Sequence, residues 1–127
     1  MRRIVISGMG ITSCLGSTTE TVTAALKQGL SGIKYNPSYA ELGMRSHIAG
    51  MIDLDLSELI DRKLLRFMGS AAGFAYLSMA AAIADAGLEP VEFSHPRTGI
   101  IAGSGGASSA SQVAAAEILQ QRGIKRV

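Results

Sequence analysis

Gly69-Ser70-Ala71-Ala72-Gly73-Phe74-Ala75-Tyr76-Leu77-Ser78-Met79-Ala80-Ala81-Ala82-Ile83-Ala84-Asp85-Ala86 is the stretch on which the fold turns. It has no turn signal and no charge before Asp85, and Gly87 follows as a C′ stop. The spacing predicts one helix, but alanines between Phe74, Leu77, Met79 and Ile83 leave almost no polar face. A helix apolar all round must be covered all round. It falls short of the ~20 apolar residues that span a bilayer, and alanine is a poor membrane anchor, so a buried central helix is expected.

Outward from this helix, two segments read as short buried strands: Arg3 to Ile6 and Thr98 to Ala102, both rich in β-branched residues. Each runs into glycines and then a helix. The first helix is expected from Ser17, with Ser17-Thr18-Thr19-Glu20 as a capping box and Gly29 as its C′ residue. The last is expected from about Ser111 to Gln121. Between them Leu30 to Asp53 is broken by Gly32, Pro37, Gly43 and Gly50, with an irregular extended piece within Arg45 to Ile52. Ser57 is expected to cap a short helix running into Arg62-Lys63-Leu64-Leu65-Arg66, and a loop surrounds Pro90 and His95-Pro96. Strand, glycine turn and helix, twice over, indicate an α/β layered fold. Two strands and two flanking helices can hardly sheath the apolar helix, so these 127 residues read as part of something larger.

Composition narrows the function. Hydrophobic residues make up 47% and charged residues 17%, a balance opposite to that of disordered chains. A net charge of +2 does not by itself point to nucleic acid. One cysteine, Cys14, rules out an intrachain disulfide, and no Cys/His spacing suggests a zinc site. Only Ile4-Val5-Ile6 is apolar near the start, too short for the core of an export signal, which favours the cytoplasm.

Gly8-Met9-Gly10-Ile11-Thr12-Ser13 imitates a dinucleotide-binding turn, yet Ser13 replaces the third glycine and the helix starts several residues late. No acidic residue ends a second strand about 20 residues on. A tight strand-to-helix turn is the favoured reading. Gly103-Ser104-Gly105-Gly106 lacks the Gly-Lys-Ser/Thr ending of a phosphate loop, but four small residues mark a backbone that something approaches closely. Cys14 has no base among its sequence neighbours and reads as a small structural cysteine. Neither His47 nor His95 is paired with a carboxylate at useful spacing. The basic clusters carry more. Arg62, Lys63 and Arg66 share one helical face, with Leu64, Leu65 and Phe67 expected to point inward, and Arg122, Lys125 and Arg126 close the chain. Solvated faces or docking of an acidic partner are both compatible with such clusters.

Several stretches together resemble a known family. Met1-Arg-Arg-Ile-Val-Ile-Ser-Gly-Met-Gly-Ile is similar to the opening of condensing enzymes of the thiolase superfamily, and Gly29-Leu-Ser-Gly-Ile to the turn after their first helix. Gly43-Met-Arg-Ser-His, Leu59-Ile-Asp-Arg-Lys-Leu-Leu-Arg-Phe-Met, Ala82-Ile-Ala-Asp-Ala-Gly-Leu and Gly99-Ile-Ile-Ala-Gly-Ser-Gly-Gly resemble the type I β-ketoacyl-acyl-carrier-protein synthases. The resemblance implies that residues 1–127 are the N-terminal part of the N-terminal half of a layered α-β-α-β-α fold, incomplete in this chain. It implies a homodimer that elongates fatty acids by decarboxylative Claisen condensation. Acyl carrier protein is the implied partner, substrates ride on its phosphopantetheine, and no metal or other cofactor is called for. The family's nucleophilic cysteine and two assisting histidines would lie beyond Val127, so no catalytic residue carries over and this chain alone is expected to be inactive. Cys14 and His47 match non-catalytic positions. Arg62, Lys63 and Arg66 match the patch that holds the carrier protein's acidic helix, with Arg122 and Lys125 a second part from the other subunit. Gly106 matches a position along the acyl pocket and Gln112 a pocket residue contributed across the dimer, while Ala107 to Ser111 departs from some members. A non-catalytic dimerisation or carrier-binding module is the alternative, and a small nucleotide-binding domain the third reading.

Overall fold

The computed structural model describes residues 3–106 and 108–124, and it is helix-rich with one small sheet. Helix α1 is Thr19–Lys27. Its N-cap is Thr18, one residue later than expected, because Thr18 and Thr21 satisfy each other's backbone N–H at 3.3 and 3.2 Å and displace the Ser17–Glu20 box. Glu20 sits in the first turn, where its own backbone N–H, then the Thr18 and Thr19 hydroxyls, hold its carboxyl below the ordinary value. At the other end Gly29, at φ +65°, lets Leu30 N–H bond the Ala25 carbonyl at 2.9 Å and closes a Schellman motif.

The broken stretch holds more structure than its punctuation suggests. Strand β1, Lys34–Tyr35, pairs antiparallel with β2, Ile48–Ala49, in the register Lys34 to Ala49 and Tyr35 to Ile48. Between them lies α2, Pro37–Glu41, capped by the Asn36 side chain with Pro37 at its first position. The single short helix expected after Ser57 is two. Helix α3, Leu56–Leu59, is capped by Asp55, and α4, Arg62–Leu65, by Asp61. Ile60 between them is extended at φ −125°, ψ 135° and only 4% exposed. Burying that side chain and capping twice with aspartate wins over one continuous helix.

Helix α5, Ser70–Asp85, matches the expectation to within a residue at each end. Gly87 at φ +63° terminates it, with Leu88 N–H on the Ile83 carbonyl at 3.2 Å. Two neighbours approach its backbone. Leu56 of α3 lies against Gly73, where a Cβ would sit 2.6 Å from Leu56 Cδ1. The N-terminal segment crosses α5 through Gly8 and Gly10: a Cβ on Gly10 would lie 1.9 Å from the Ser78 carbonyl oxygen. Met9 N–H donates to Asp85 Oδ2 at 2.8 Å and the Ser78 hydroxyl donates to Thr12 Oγ1 at 2.9 Å, pinning the crossing from both sides. The short α6, Pro90–Phe93, occupies the expected loop, and α7, Ser109–Arg122, starts two residues early because Ser108 caps it.

Two expectations fail here. Arg3 to Ile6 and Thr98 to Ala102 form no strand ladder among the described residues. They are not buried either: Ile4 is 95% exposed and Ile101 fully so. β-Branched residues bias the backbone to be extended, but a ladder needs a partner edge, and none runs beside them. The apolar helix is likewise uncovered within this chain. Of α5 only Gly73 is buried, and among the described residues the buried apolar side chains are Val22, Ala25 and Ile60. The accessible surface is 10682 Å², whereas a compact monomer of this mass shows about 6,400 Å².

Candidate functional site

The first cluster is basic and sits on α4. Asp61 accepts from Lys63 N–H at 2.8 Å, fixing the start of the turn, and Arg66 stays helical as C-cap with its N–H on the Arg62 carbonyl at 3.3 Å. Arg62, Lys63 and Arg66 are all exposed. Arg62, Leu65 and Arg66 line an open groove of about 370 Å³ together with Ser57 of α3. Lys63 is outside that lining. Of the three apolar residues expected inward, only Leu65 turns in. Leu64 is 45% exposed and Phe67 is 79% exposed, and the Arg66 guanidinium lies over the Phe67 ring, 4.6 Å from its centroid. Ile60, extended between the two helices and 4% exposed, is the buried apolar residue of this stretch.

The second cluster is a channel of small residues. Gly69, Ala71, Ala72 and Ala75 at the start of α5 face Ala102, Gly103, Ser104, Gly106 and Ser108 across about 440 Å³. A Cβ added at Gly106 meets nothing within 4 Å, so this chain's own packing does not require glycine there. The α5 members were not singled out from sequence, although the run of small residues from Gly69 was the available signal. Gln112 is not among the residues facing the channel. It is exposed one turn into α7, its N–H on the Ser108 carbonyl at 3.0 Å. Arg122 ends the same helix, away from the α4 groove lining, and Lys125 lies outside the described residues.

The remaining candidates are placed without chemistry of their own. Cys14 is half-buried between two glycines, its Sγ 2.7 Å from where a Gly32 Cβ would be and 3.1 Å from a Gly50 Cβ. Its small groove, about 210 Å³, includes Lys34 and Asp53 but no histidine. His47 stands edge-on to Tyr35 with centroids 6.1 Å apart, and His95 Nδ1 accepts from Arg97 N–H at 3.1 Å within its own loop. The Gly8–Ser13 turn crosses α5 so closely that a Cβ at Gly8 or Gly10 would meet its backbone, which accounts for both glycines by packing. Among the described residues no group of His, Cys, Asp and Glu could hold a metal ion, and no helix is long and apolar enough to cross a membrane.

Comparison with known proteins gives this geometry a setting. Residues 1–126 match the model of the β-ketoacyl synthase N-terminal domain. The 3-oxoacyl-[acyl-carrier-protein] synthase 1 of Haemophilus influenzae is 50% identical over 128 aligned positions, which take in 100% of this chain and 32% of that protein. The Escherichia coli K12 protein of the same name is 48% identical, with the same coverage. A solved β-ketoacyl synthase from Burkholderia phymatum superposes with a TM-score of 0.72 at 27% identity, over 95% of this chain and 30% of its own. The chain thus spans about a third of the length of the relatives it matches.

Proposed function

The chain belongs to the β-ketoacyl synthase family, within that family's N-terminal domain, and we propose on this basis that it serves a β-ketoacyl-acyl-carrier-protein synthase of fatty-acid synthesis. The observation that carries the reading is the exposed groove between Arg62 and Arg66, borne by a chain whose family relatives are named for carrier-protein substrates. In the reaction, an acyl group passes from its carrier thioester to an enzyme cysteine. Malonyl carrier protein then loses carbon dioxide, and the carbanion attacks the acyl thioester and expels the cysteine thiolate.

The residues of this chain bind rather than react. Arg62, Lys63 and Arg66 receive the acidic helix of acyl carrier protein, and Arg122 and Lys125 extend the patch from the second subunit of a cytoplasmic homodimer. Gly106 leaves room for the acyl chain, and Gln112 reaches the neighbouring subunit's pocket. The substrates arrive on phosphopantetheine, and no other cofactor is called for. The resemblance implies that the attacking cysteine and assisting histidines lie outside these 127 residues. The chain alone therefore has no condensing activity, since assistance in trans cannot replace a missing nucleophile.

Charge reversal tests the assignment. In the protein expressed from its full coding sequence, Lys63→Glu with Arg66→Glu slows association with acyl carrier protein at low salt. Neutral replacements act modestly, because exposed ion pairs are worth about 0–1 kcal/mol each, whereas reversal adds repulsion during encounter. The difference narrows as the Debye length falls from about 10 Å at 0.1 M to about 3 Å at 1 M salt. Equal association rates for the reversed and unaltered proteins at low salt would sink the reading.

A further inference from the structure

The exposed Phe67 ring beside the basic groove has no role in the reading above. Its neighbour Arg66 is both a wall of that groove and the cation that lies over the ring, 4.6 Å from the centroid. An isolated arginine on a surface samples many rotamers, and binding must then oppose that freedom. A guanidinium stacked on an aromatic face is held in place without losing donors, because its N–H groups point outward in its own plane. The aromatic quadrupole attracts the cation without neutralising it, as a carboxylate would. The N-cap carboxylate of α4, Asp61, accepts from the Lys63 backbone N–H at 2.8 Å. Phe67 itself is 79% exposed, so its contribution to the core of this chain is small.

We propose that Phe67 is a positioning residue for the docking groove: its ring pre-organises the Arg66 guanidinium toward an incoming anionic helix. The proposal rests on the carrier-protein reading and deepens it. It assigns Arg66 the strongest oriented charge of the three and makes Lys63, which has no such platform among the described residues, a less directional one.

The test uses the protein expressed from its full coding sequence, with acyl carrier protein as the probe. Phe67→Leu keeps an apolar side chain and removes the ring face, whereas Phe67→Tyr keeps the face. Phe67→Leu should lower affinity about two- to five-fold at low salt, the span of an exposed cation–π contact, and Phe67→Tyr should bind as the unaltered protein does. Turnover at saturating carrier protein should stay constant while KM rises. A double-mutant cycle with Arg66→Ala separates positioning from a general packing role, since Phe67→Leu should cost nothing further once the guanidinium is gone. Additive losses in that cycle, or equal defects in the Leu and Tyr variants, overturn the proposal. If Phe67→Leu lowers the melting temperature sharply, the Tyr variant and the cycle built on Phe67→Met decide by the same criteria. Failure of the underlying reading looks different: charge reversal of Lys63 and Arg66 would then leave binding unchanged, and the positioning role falls with it. Weakened binding on reversal together with unaltered binding on Phe67→Leu refutes the positioning role alone.

Discussion

Gly10 separates two demands that look alike in a sequence. A glycine-rich turn after an extended apolar segment is what a nucleotide site uses to bring backbone near a phosphate, and it is also what one backbone needs to cross another. Here the neighbour is α5, and the missing Cβ would fall 1.9 Å from the Ser78 carbonyl oxygen. Backbone cannot swing aside as a long side chain can. Gly10→Ala should therefore destabilise the protein expressed from its full coding sequence by about 1–3 kcal/mol, the usual cost of forcing atoms into a packed site. A Gly10→Ala protein that melts at the temperature of the unaltered one in a thermal scan would show that the α5 crossing is loose. The same residue-level view demotes Cys14: a thiol lodged between Gly32 and Gly50 is shaped by packing.

Among the elements, α3 and α4 are the pair on which the candidate docking face depends, and aspartate caps hold both. Asp55 Oδ1 accepts from the Ser57 hydroxyl at 2.6 Å and from Ser57 N–H at 2.8 Å. The hydroxyl first, and the N–H second, hold the Asp55 carboxyl below its ordinary value. A depressed carboxyl contributes stability that is fully present above the unfolded-state pKa and is lost as pH falls through the folded one. The α3 cap should thus weaken only in acid, below the ordinary aspartate range. Ser57→Ala should move the Asp55 titration back up toward that range, followed by NMR of its carboxyl carbon. An unmoved titration would mean that the hydroxyl does not bond the carboxylate in solution. Because α3 seats Leu56 against Gly73, fraying its first turn should also loosen its hold on α5.

At the scale of the whole molecule the dominant fact is missing cover. The surface of 10682 Å² exceeds that of a compact monomer by roughly 4,300 Å², more than the roughly 1,000–2,500 Å² that one partner contributes to an obligate interface. The relatives are about three times as long as this chain, and the solved relative superposes on it over 30% of its own residues. Leaving even about 400 Å² of apolar surface in water costs about 10 kcal/mol, as much as the entire net stability of an ordinary domain. Purified as 127 residues, the chain should bind a hydrophobic dye, aggregate or form oligomers, and show no sharp melt. A monodisperse monomer with a cooperative transition in calorimetry and light scattering would show that it closes its own core.

How much of this was legible beforehand depends on the range of the interaction involved. Helix α5 was readable almost to the residue, since an unbroken apolar run and a C′ glycine are local signals, and so were the Schellman ends at Gly29 and Gly87. The basic character of Arg62, Lys63 and Arg66 and the family were likewise present in the residues themselves. The Asn36-Pro37 and Glu89-Pro90 starts of α2 and α6 carry cap signals in the sequence, where Pro37 and Pro90 read only as breaks. Tertiary structure alone decided the rest. It split α3 from α4 because burying Ile60 outcompetes helix continuity, turned Phe67 outward under Arg66, and gave Gly8 and Gly10 a helix backbone to cross. It also withheld strands from Arg3–Ile6 and Thr98–Ala102, because extended propensity belongs to a residue while a ladder belongs to a pair of edges. Local chain stiffness and composition are written in sequence order. Which surfaces meet is a property of elements far apart in that order, and only packing fixes it.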